Sequence, residues 1–366
     1  MKNKNLKLYN IIDNISYADK EIQRKAKKRI DSLAKPLGSL GKLEDIAIKV
    51  TGITGNIKNS FKKKCVLIFC SDNGVYKEGI ASTPQYVTIA QTINFTKGLS
   101  GVGVIAKQNG SDLMVIDVGI NSSLKIPGVI DKKIRKSTSN ILKGPAMTKE
   151  ECIDAILIGI ESVKEAVENG YEILGVGEMG IANTTTSSAV LISLLDCSIE
   201  EAVGKGAGLT NDAFNKKKDI IRQALEINKP DKNDPIDVLT KVGGFDIAAM
   251  TGVFIGAAYY KIPVVIDGLI SVVAALCAYR LNNKCRDYMF TSHISKEIGF
   301  KTAMSELGLS SILDLNMGLG EGSGCPLAFS IMDSACAVMN NMATFEEAEI
   351  NDKYLDELKR LDNKGV

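Results

Sequence analysis

The run Gly318-Leu319-Gly320-Glu321-Gly322-Ser323-Gly324 sets one carboxylate among glycines, directly ahead of an apolar, small-residue stretch from Cys325 to Met342. Glycines let backbone approach a ligand closely and take φ > 0 without steric cost. A glycine turn that opens a helix also aims unpaired N–H groups at nearby anions. A carboxylate there repels phosphate, but it is well placed to take a proton from a neutral nucleophile beside a bound phosphorylated sugar. The competing reading is a tight helix-entry turn with a solvated glutamate.

A second carboxylate, Glu178, lies in Gly175-Val176-Gly177-Glu178-Met179-Gly180-Ile181-Ala182-Asn183-Thr184-Thr185-Thr186, where a strand enters a glycine-rich turn and a threonine-rich helix start. Hydroxyls and amides there suit a phosphate or ribose, and the glutamate suits a hydroxyl or an N–H; N-capping by Asn183 or Thr184 explains the polar residues as well. Other strand-like runs end similarly, in Ser71-Asp72-Asn73-Gly74, Asp117-Val118-Gly119 and Asp267-Gly268. Ligands of open α/β sheets gather outside the carboxyl ends of strands, so these acids are site candidates. The loop holding Asp72 and Ala81-Ser82-Thr83-Pro84-Gln85 suits the wall of a planar ligand or an ordinary surface turn. The sole histidine, His293, and nearby Ser295 suit binding or positioning, because no serine sits in a GxSxG elbow. Gly204-Lys205-Gly206-Ala207-Gly208 lacks the P-loop ending, and the GxG before Val104 lacks a preceding strand. Both read as turns or packing positions rather than a triphosphate or dinucleotide site.

The elements that must hold these residues alternate. Continuous apolar runs at 65–71, 113–118, 173–176, 264–266 and 288–291 read as parallel strands covered on both faces. Residues 148–169 read as a helix with a Thr148/Glu151 capping box and an Asn169-Gly170 stop. The lysine-rich segment 211–237 reads as a surface excursion. Residues 247–260 and 262–279 are apolar, but the first is short of spanning length and the second is broken by Asp267, so both read as buried core. The expected fold class is α/β, a Rossmann-like parallel sheet flanked by helices. Its large domain is expected at 60–320, with a smaller helical domain from 1–59 plus 321–366.

With 366 residues, 45% hydrophobic and 24% charged, the chain has the composition of a soluble globular protein. A net charge of +2 gives no electrostatic case for nucleic acid or acidic membranes. The cysteines form no CxxC and several lie in apolar runs, which argues for buried thiols in a reducing cytoplasm and against zinc or a disulfide framework. Acidic residues among the N-terminal lysines, with no apolar stretch, argue against a targeting segment.

An ordered series of stretches resembles the nicotinate-nucleotide:dimethylbenzimidazole phosphoribosyltransferase family. The series comprises Ala34-Lys35-Pro36-Leu37-Gly38-Ser39-Leu40-Gly41, Gly144-Pro145-Ala146-Met147-Thr148, Gly177-Glu178-Met179-Gly180, Lys241-Val242-Gly243-Gly244-Phe245, Asp267-Gly268, Leu319 to Gly324, and Met342-Ala343-Thr344-Phe345. The resemblance implies transfer of phosphoribose from nicotinate mononucleotide to 5,6-dimethylbenzimidazole, giving α-ribazole phosphate and nicotinate, in a homodimer that needs no metal or organic cofactor. It maps the general base onto Glu321, a second active-site glutamate onto Glu178 and a strand-end aspartate onto Asp267. It places Gly180, Lys217 and Ser295 near the nucleotide, and Thr83 and Gln91 in the base pocket. Asn183 and Gly322, in the two glycine-rich turns, complete the expected substrate-binding set. The sequence departs from the family where Gly-Asp-His-Gly has become Ser71-Asp72-Asn73-Gly74, serine has become Ala81, the glycine before Asn183 has become Ala182, and the usual arginine has become Lys205. The changes at 71–83 leave the acceptor open between dimethylbenzimidazole, another benzimidazole, adenine and a phenol. A non-catalytic nucleotide-binding subunit of a paralogue pair is the alternative from another class.

Overall fold

The computed structural model describes residues 2–206 and 208–351. The expected C-terminal helical segment beyond residue 351, and Ala207 of the glycine-lysine run, lie outside the described residues. The chain divides into two units. The larger takes the N-terminus up to Ser16 and then Lys62–Phe329; the smaller takes Tyr17–Phe61 and the chain from Ser330 on. The Glu321 loop thus belongs to the larger unit, as does the N-terminal helix Lys2–Asp13.

The larger unit is built on six parallel strands: β1 (Lys64–Ser71), β2 (Asp112–Gly119), β3 (Val129–Asp131), β4 (Ile173–Met179), β5 (Val264–Ile266) and β6 (Met289–Thr291), in the order β3-β2-β1-β4-β5-β6. This is the Rossmann-like parallel sheet expected from the sequence. Apart from Lys64, every residue of β1 is buried, as its unbroken apolar run requires. Strand order reverses between β1 and β4, and it is at such a reversal that an open sheet leaves a crevice at its carboxyl edge. β3 went unread because three residues after Pro127-Gly128 carry no period. A second parallel pair, β7 (His293–Ser295) and β8 (Leu313–Met317), was also invisible in the sequence. Its β8, Leu-Asp-Leu-Asn-Met, is exposed along its middle and so has no apolar run.

The capping box forms as read: Thr148 Oγ1 accepts from the Glu151 amide at 3.2 Å, and the Glu151 carboxylate accepts from the Thr148 amide at 2.8 Å. The helix it starts, Lys149–Glu168, lies against the buried helix Phe245–Tyr260 at unusually close range. A Cβ at Gly159 would strike the carbonyl of Ala249, and one at Gly252 the carbonyl of Ile156. Glycine on each helix at the crossing lets the backbones touch, and this fixes the start of Phe245–Tyr260 beneath the crevice. Residues 262–279 divide into β5 and the buried helix Leu269–Leu281. No helix among the described residues is long and apolar enough to cross a membrane. The segment 211–237 is not a surface excursion throughout: helix Asn211–Asn228 buries Lys217, Ile220, Ile221 and Ala224.

In the smaller unit, helices Lys20–Ser32 and Lys42–Thr54 pack through Ala26, Ile30, Ala47 and Val50. The motif Ala34 to Gly41 joins them, with Gly38 and Gly41 at φ of +70° and +52°. Its Lys35 is held in a buried ion pair with Glu44 at 2.8 Å, and Glu44 also accepts from the Leu40 amide at 3.0 Å. The motif is therefore a helix connection pinned by one buried pair.

Gly252→Ala forces a methyl group against the Ile156 carbonyl. Overpacking of this kind is expected to destabilise by about 1–3 kcal/mol, read as a lower urea midpoint with unchanged slope. An unchanged midpoint would show that the two helices can part at no cost.

Candidate active site

A cleft of about 280 Å³ opens beyond the carboxyl ends of β4, β5 and β6. Ile80, Thr83, Val87, Gln91, Met179 and Leu319 line one part of it, and Thr184, Lys205, Gly206, Gly268, Ser295 and Glu297 another; Glu178, Gly180, Asn183 and Glu321 also line it.

The glycine-rich loop is held from behind by Asp267, the residue that follows β5. Its Oδ2 accepts from the Gly322 amide at 3.0 Å and its Oδ1 from the Gly324 amide at 2.7 Å. Gly177 in β4 has no side chain, which lets the Glu321 carbonyl rest on the strand. Glycine inside a strand marks such a close approach. Glu321 itself has φ +65°, between Gly320 at +83° and Gly322 at +84°. A non-glycine residue in that region stores about 1 kcal/mol or more, held here by hydrogen bonds on its side chain. Oε1 accepts from Gln91 Nε2 at 2.6 Å, and Oε2 from the amide of Val102 at 3.4 Å, in the first turn of helix Gly101–Gln108. Burial raises the Glu321 carboxyl above its usual range, opposed by the Gln91 and backbone donors. The Gly101-Val102-Gly103 run, read from sequence as a packing turn, is thus a donor to the glutamate. Gly101 carries no Cβ because one would strike the Leu319 side chain.

Glu178 sits near the end of β4. Asn183 Nδ2 donates to its Oε2, and the Glu321 amide lies 3.4 Å from its Oε1. The same Asn183 nitrogen donates to Asp246 Oδ2 at 3.2 Å, in the first turn of helix Phe245–Tyr260. Burial first, and the Asp246 charge second, push Glu178 up to about 8; burial pushes Asp246 up to about 6. Burial likewise pushes Asp267 up to about 7 against the loop amides, with Glu321 adding to the rise. Asp72, after β1, accepts from Thr88 Oγ1 and from the Asn121 amide, each at 2.8 Å. Thr88 Oγ1 in turn accepts from the Ile181 amide at 3.2 Å, joining the β1 and β4 ends across the switch point. Gln91 lies one turn further along the same helix, Val87–Thr96.

At the polar end, Lys217 Nζ donates to Thr184 Oγ1 and to the Gly204 carbonyl, each at 3.0 Å. Burial pushes this ammonium down to about 8, while Glu297 pulls the other way. His293 is buried and held below its usual value by desolvation, with Nδ1 3.0 Å from Ser292 Oγ and 3.6 Å from Asp267 Oδ1.

Of the expected residues, Glu321, Glu178, Gly180, Asn183, Ser295, Thr83 and Gln91 line one cleft. Asp267, Gly322 and Lys217 stand behind its lining, where they hold the loop, Thr184 and Gly204. Sequence reading missed Asp246, Val102 and Glu297. Asp246 directly follows the quoted Gly-Gly-Phe motif, and a Cβ at Gly244 would collide with its carboxylate, so that glycine was the one available signal.

A family model described as "Phosphoribosyltransferase" matches residues 15–350. A Clostridium perfringens protein named nicotinate-nucleotide--dimethylbenzimidazole phosphoribosyltransferase is 60% identical over 352 residues, covering 96% of this chain and 98% of that protein. A Clostridium tetani protein of the same name is 49% identical over 338 residues, covering 92% and 93%. The crystal structure of the Thermus thermophilus protein of that name superposes with a TM-score of 0.86 at 34% identity, covering 91% of this chain and 99% of the other.

Two outcomes follow from this geometry. Ala182 starts helix Asn183–Leu195 from φ +77°, a conformation glycine adopts freely; Ala182→Gly is therefore expected to raise stability by about 1 kcal/mol, seen as a higher Tm. A carboxyl whose pKa is raised on folding contributes stability below its unfolded value and loses it as pH rises through its folded value. For Asp246, Asp267 and Glu178 that window runs from ordinary values of 3.8 to 4.5 up to about 6, 7 and 8. The Tm of the ligand-free protein should fall steadily across that window, and a flat profile would mean that these groups carry no extra proton in the fold.

Proposed function

The chain belongs to this phosphoribosyltransferase family, and from that premise we propose that it transfers phosphoribose from nicotinate mononucleotide to 5,6-dimethylbenzimidazole or a related base in cobalamin nucleotide-loop synthesis. The observation that carries the reading is the Glu321 carboxylate, held by donors on both oxygens in a cleft with an apolar side and a polar corner.

The nicotinate ring of the mononucleotide is already a pyridinium cation, so it departs without needing a proton. The work left to the protein is positional and electrostatic. The phosphate goes to the corner of Thr184, Gly268 and Ser295, with the Lys217 charge behind its wall, tied to Thr184 and the Gly204 carbonyl. The acceptor base lies against Ile80, Val87, Met179 and Leu319. One ring nitrogen attacks C1′ from the face opposite nicotinate, the C1′–N bond to nicotinate breaks with its electron pair returning to the pyridine nitrogen, and the anomeric centre inverts from β to α. The other ring nitrogen loses its proton to Glu321, which is ionised before attack and protonated after it. Glu178 lines the sugar side, with Asp246 behind it across Asn183; the pyridinium charge of the bound nucleotide lowers the raised pKa of Glu178, so that its ionised form faces the positive charge growing at C1′. Asp267 acts as a positioning residue, through the loop amides.

The apolar lining favours an alkylated benzimidazole over adenine or phenol. An idle subunit would have no use for Glu321 held against strain. The assembly proposed is a homodimer: Leu99, Val104 and Leu319 are 69%, 59% and 58% exposed on and beside the helix Gly101–Gln108, a face for a second copy to cover. A cytoplasmic location accords with eight unpaired cysteines, all but Cys197 buried.

Nicotinate release is measured with dimethylbenzimidazole, other benzimidazoles, adenine and phenol as acceptors, and the ribotides are identified by mass. Release should require acceptor, be greatest with dimethylbenzimidazole, and fall about 10²–10⁴-fold in Glu321→Gln at little change in nucleotide affinity. Folded protein that binds nucleotide yet releases no nicotinate with any acceptor would sink the proposal in favour of a non-catalytic subunit.

A further inference from the structure

Glu297 opens helix Ile298–Leu307 at the polar end of the cleft, two residues beyond Ser295. Among the described residues no hydrogen-bond donor reaches its Oε2, which is shut away from solvent. The other two cleft carboxylates, Glu178 and Glu321, have a donor on each oxygen. The neighbouring cations are turned elsewhere: Lys217 donates to Thr184 and the Gly204 carbonyl, and Lys205 donates to Asn211 Oδ1 at 2.8 Å. A shielded carboxylate oxygen left unpaired is costly; Glu297 as a whole is half-buried and lines the cleft, so a turn of its side chain brings that oxygen to a donor on a bound ligand.

Nicotinate mononucleotide offers few donors. Its pyridinium nitrogen carries ribose instead of a proton, and its carboxylate and phosphate are chiefly acceptors at neutral pH. The two ribose hydroxyls remain. We propose that Glu297 is a substrate-binding residue that accepts a hydrogen bond from one ribose hydroxyl and thereby selects ribosyl over deoxyribosyl donors; this rests on the reaction proposed above. Gly204 is part of the same arrangement, because a Cβ there would run into Glu297 Oε2. Glycine keeps the carboxylate folded against the wall, on the lysine side of the corner.

The test compares wild type, Glu297→Ala and Gly204→Ala on nicotinate mononucleotide and on its 2′-deoxy and 3′-deoxy analogues, with dimethylbenzimidazole as acceptor. Wild type should disfavour one analogue by about 10- to 100-fold in kcat/KM, the range for a hydrogen bond to a charged group. Glu297→Ala should lose a similar factor on the ribonucleotide and almost nothing on that analogue, so that the discrimination disappears. Gly204→Ala, which displaces the carboxylate without removing it, should narrow the ratio in the same direction and serves alone if Glu297→Ala does not fold. Equal losses on all three donors, or no discrimination by wild type, would overturn the role of Glu297. Failure of wild type to use nicotinate mononucleotide at all would overturn the reaction itself, a distinct result.

Discussion

The grip of Asp267 on the amides of Gly322 and Gly324 is the contact on which the site depends. A carboxylate is otherwise an awkward tenant of a sheet edge with this little access to water, and burial raises its pKa to about 7 even with those amides in place. What the amides gain is a fixed loop. With the loop seated on Gly177, the Glu321 backbone is forced into left-handed φ, and its side chain is delivered to Gln91 and the first turn of Gly101–Gln108. Two donor groups from two helices then fix the oxygens of one glutamate. Glu321 is thus placed by backbone geometry first and by its own hydrogen bonds second.

The electrostatics are lopsided in a way the fold alone does not require. Asp72, Asp117, Glu178, Asp246, Asp267 and Glu321 are all buried around the carboxyl edge of the sheet, and all are shifted upward. Among the described residues the lysine in contact with this group is Lys133, 3.1 Å from Asp117. Like charges crowded in low dielectric are kept neutral or answered by a partner. In the reaction proposed above, the pyridinium substrate whose positive charge passes to C1′ is the partner that would answer them. The polar corner, with Lys217, is the opposite pole, and a nucleotide that is cationic at one end and phosphorylated at the other fits the two poles in one orientation.

The sheet was legible because parallel strands covered on both faces carry unbroken apolar runs, as residues 65–70 of β1, 113–116 of β2 and 173–176 of β4 do. The carboxylates at strand ends were legible because Glu178 and Asp267 stand beside glycines that only close backbone approach explains. What was not legible came from residues whose role is made by distant partners. Asp246 sits in an ordinary helix start, and only folding brings it under Asn183. Val102 contributes an amide, which no side-chain pattern announces. Lys217 was expected from the family resemblance alone: it lies in a run of three lysines, two of them solvent-accessible, and nothing local marks the middle one as buried. β8 escaped because its side chains meet water, so hydrophobic periodicity had nothing to act on.

Strain and desolvation are concentrated here, and the surrounding structure is what tolerates them. Glu321 and Ala182 hold left-handed backbone on opposite sides of Glu178, each at the mouth of a helix. Such residues persist only where their neighbours over-determine them. The neighbours in question are β4, pinned between β1 and β5, and helix Phe245–Tyr260, locked backbone to backbone against Lys149–Glu168 through Gly159 and Gly252. A looser crossing would let Asp246 drift, free Asn183 and release Glu178 from the loop. The glycines far from the cleft and the glycines within it therefore serve one end, since each removes a side chain so that backbone can hold a carboxylate where solvent would otherwise have to.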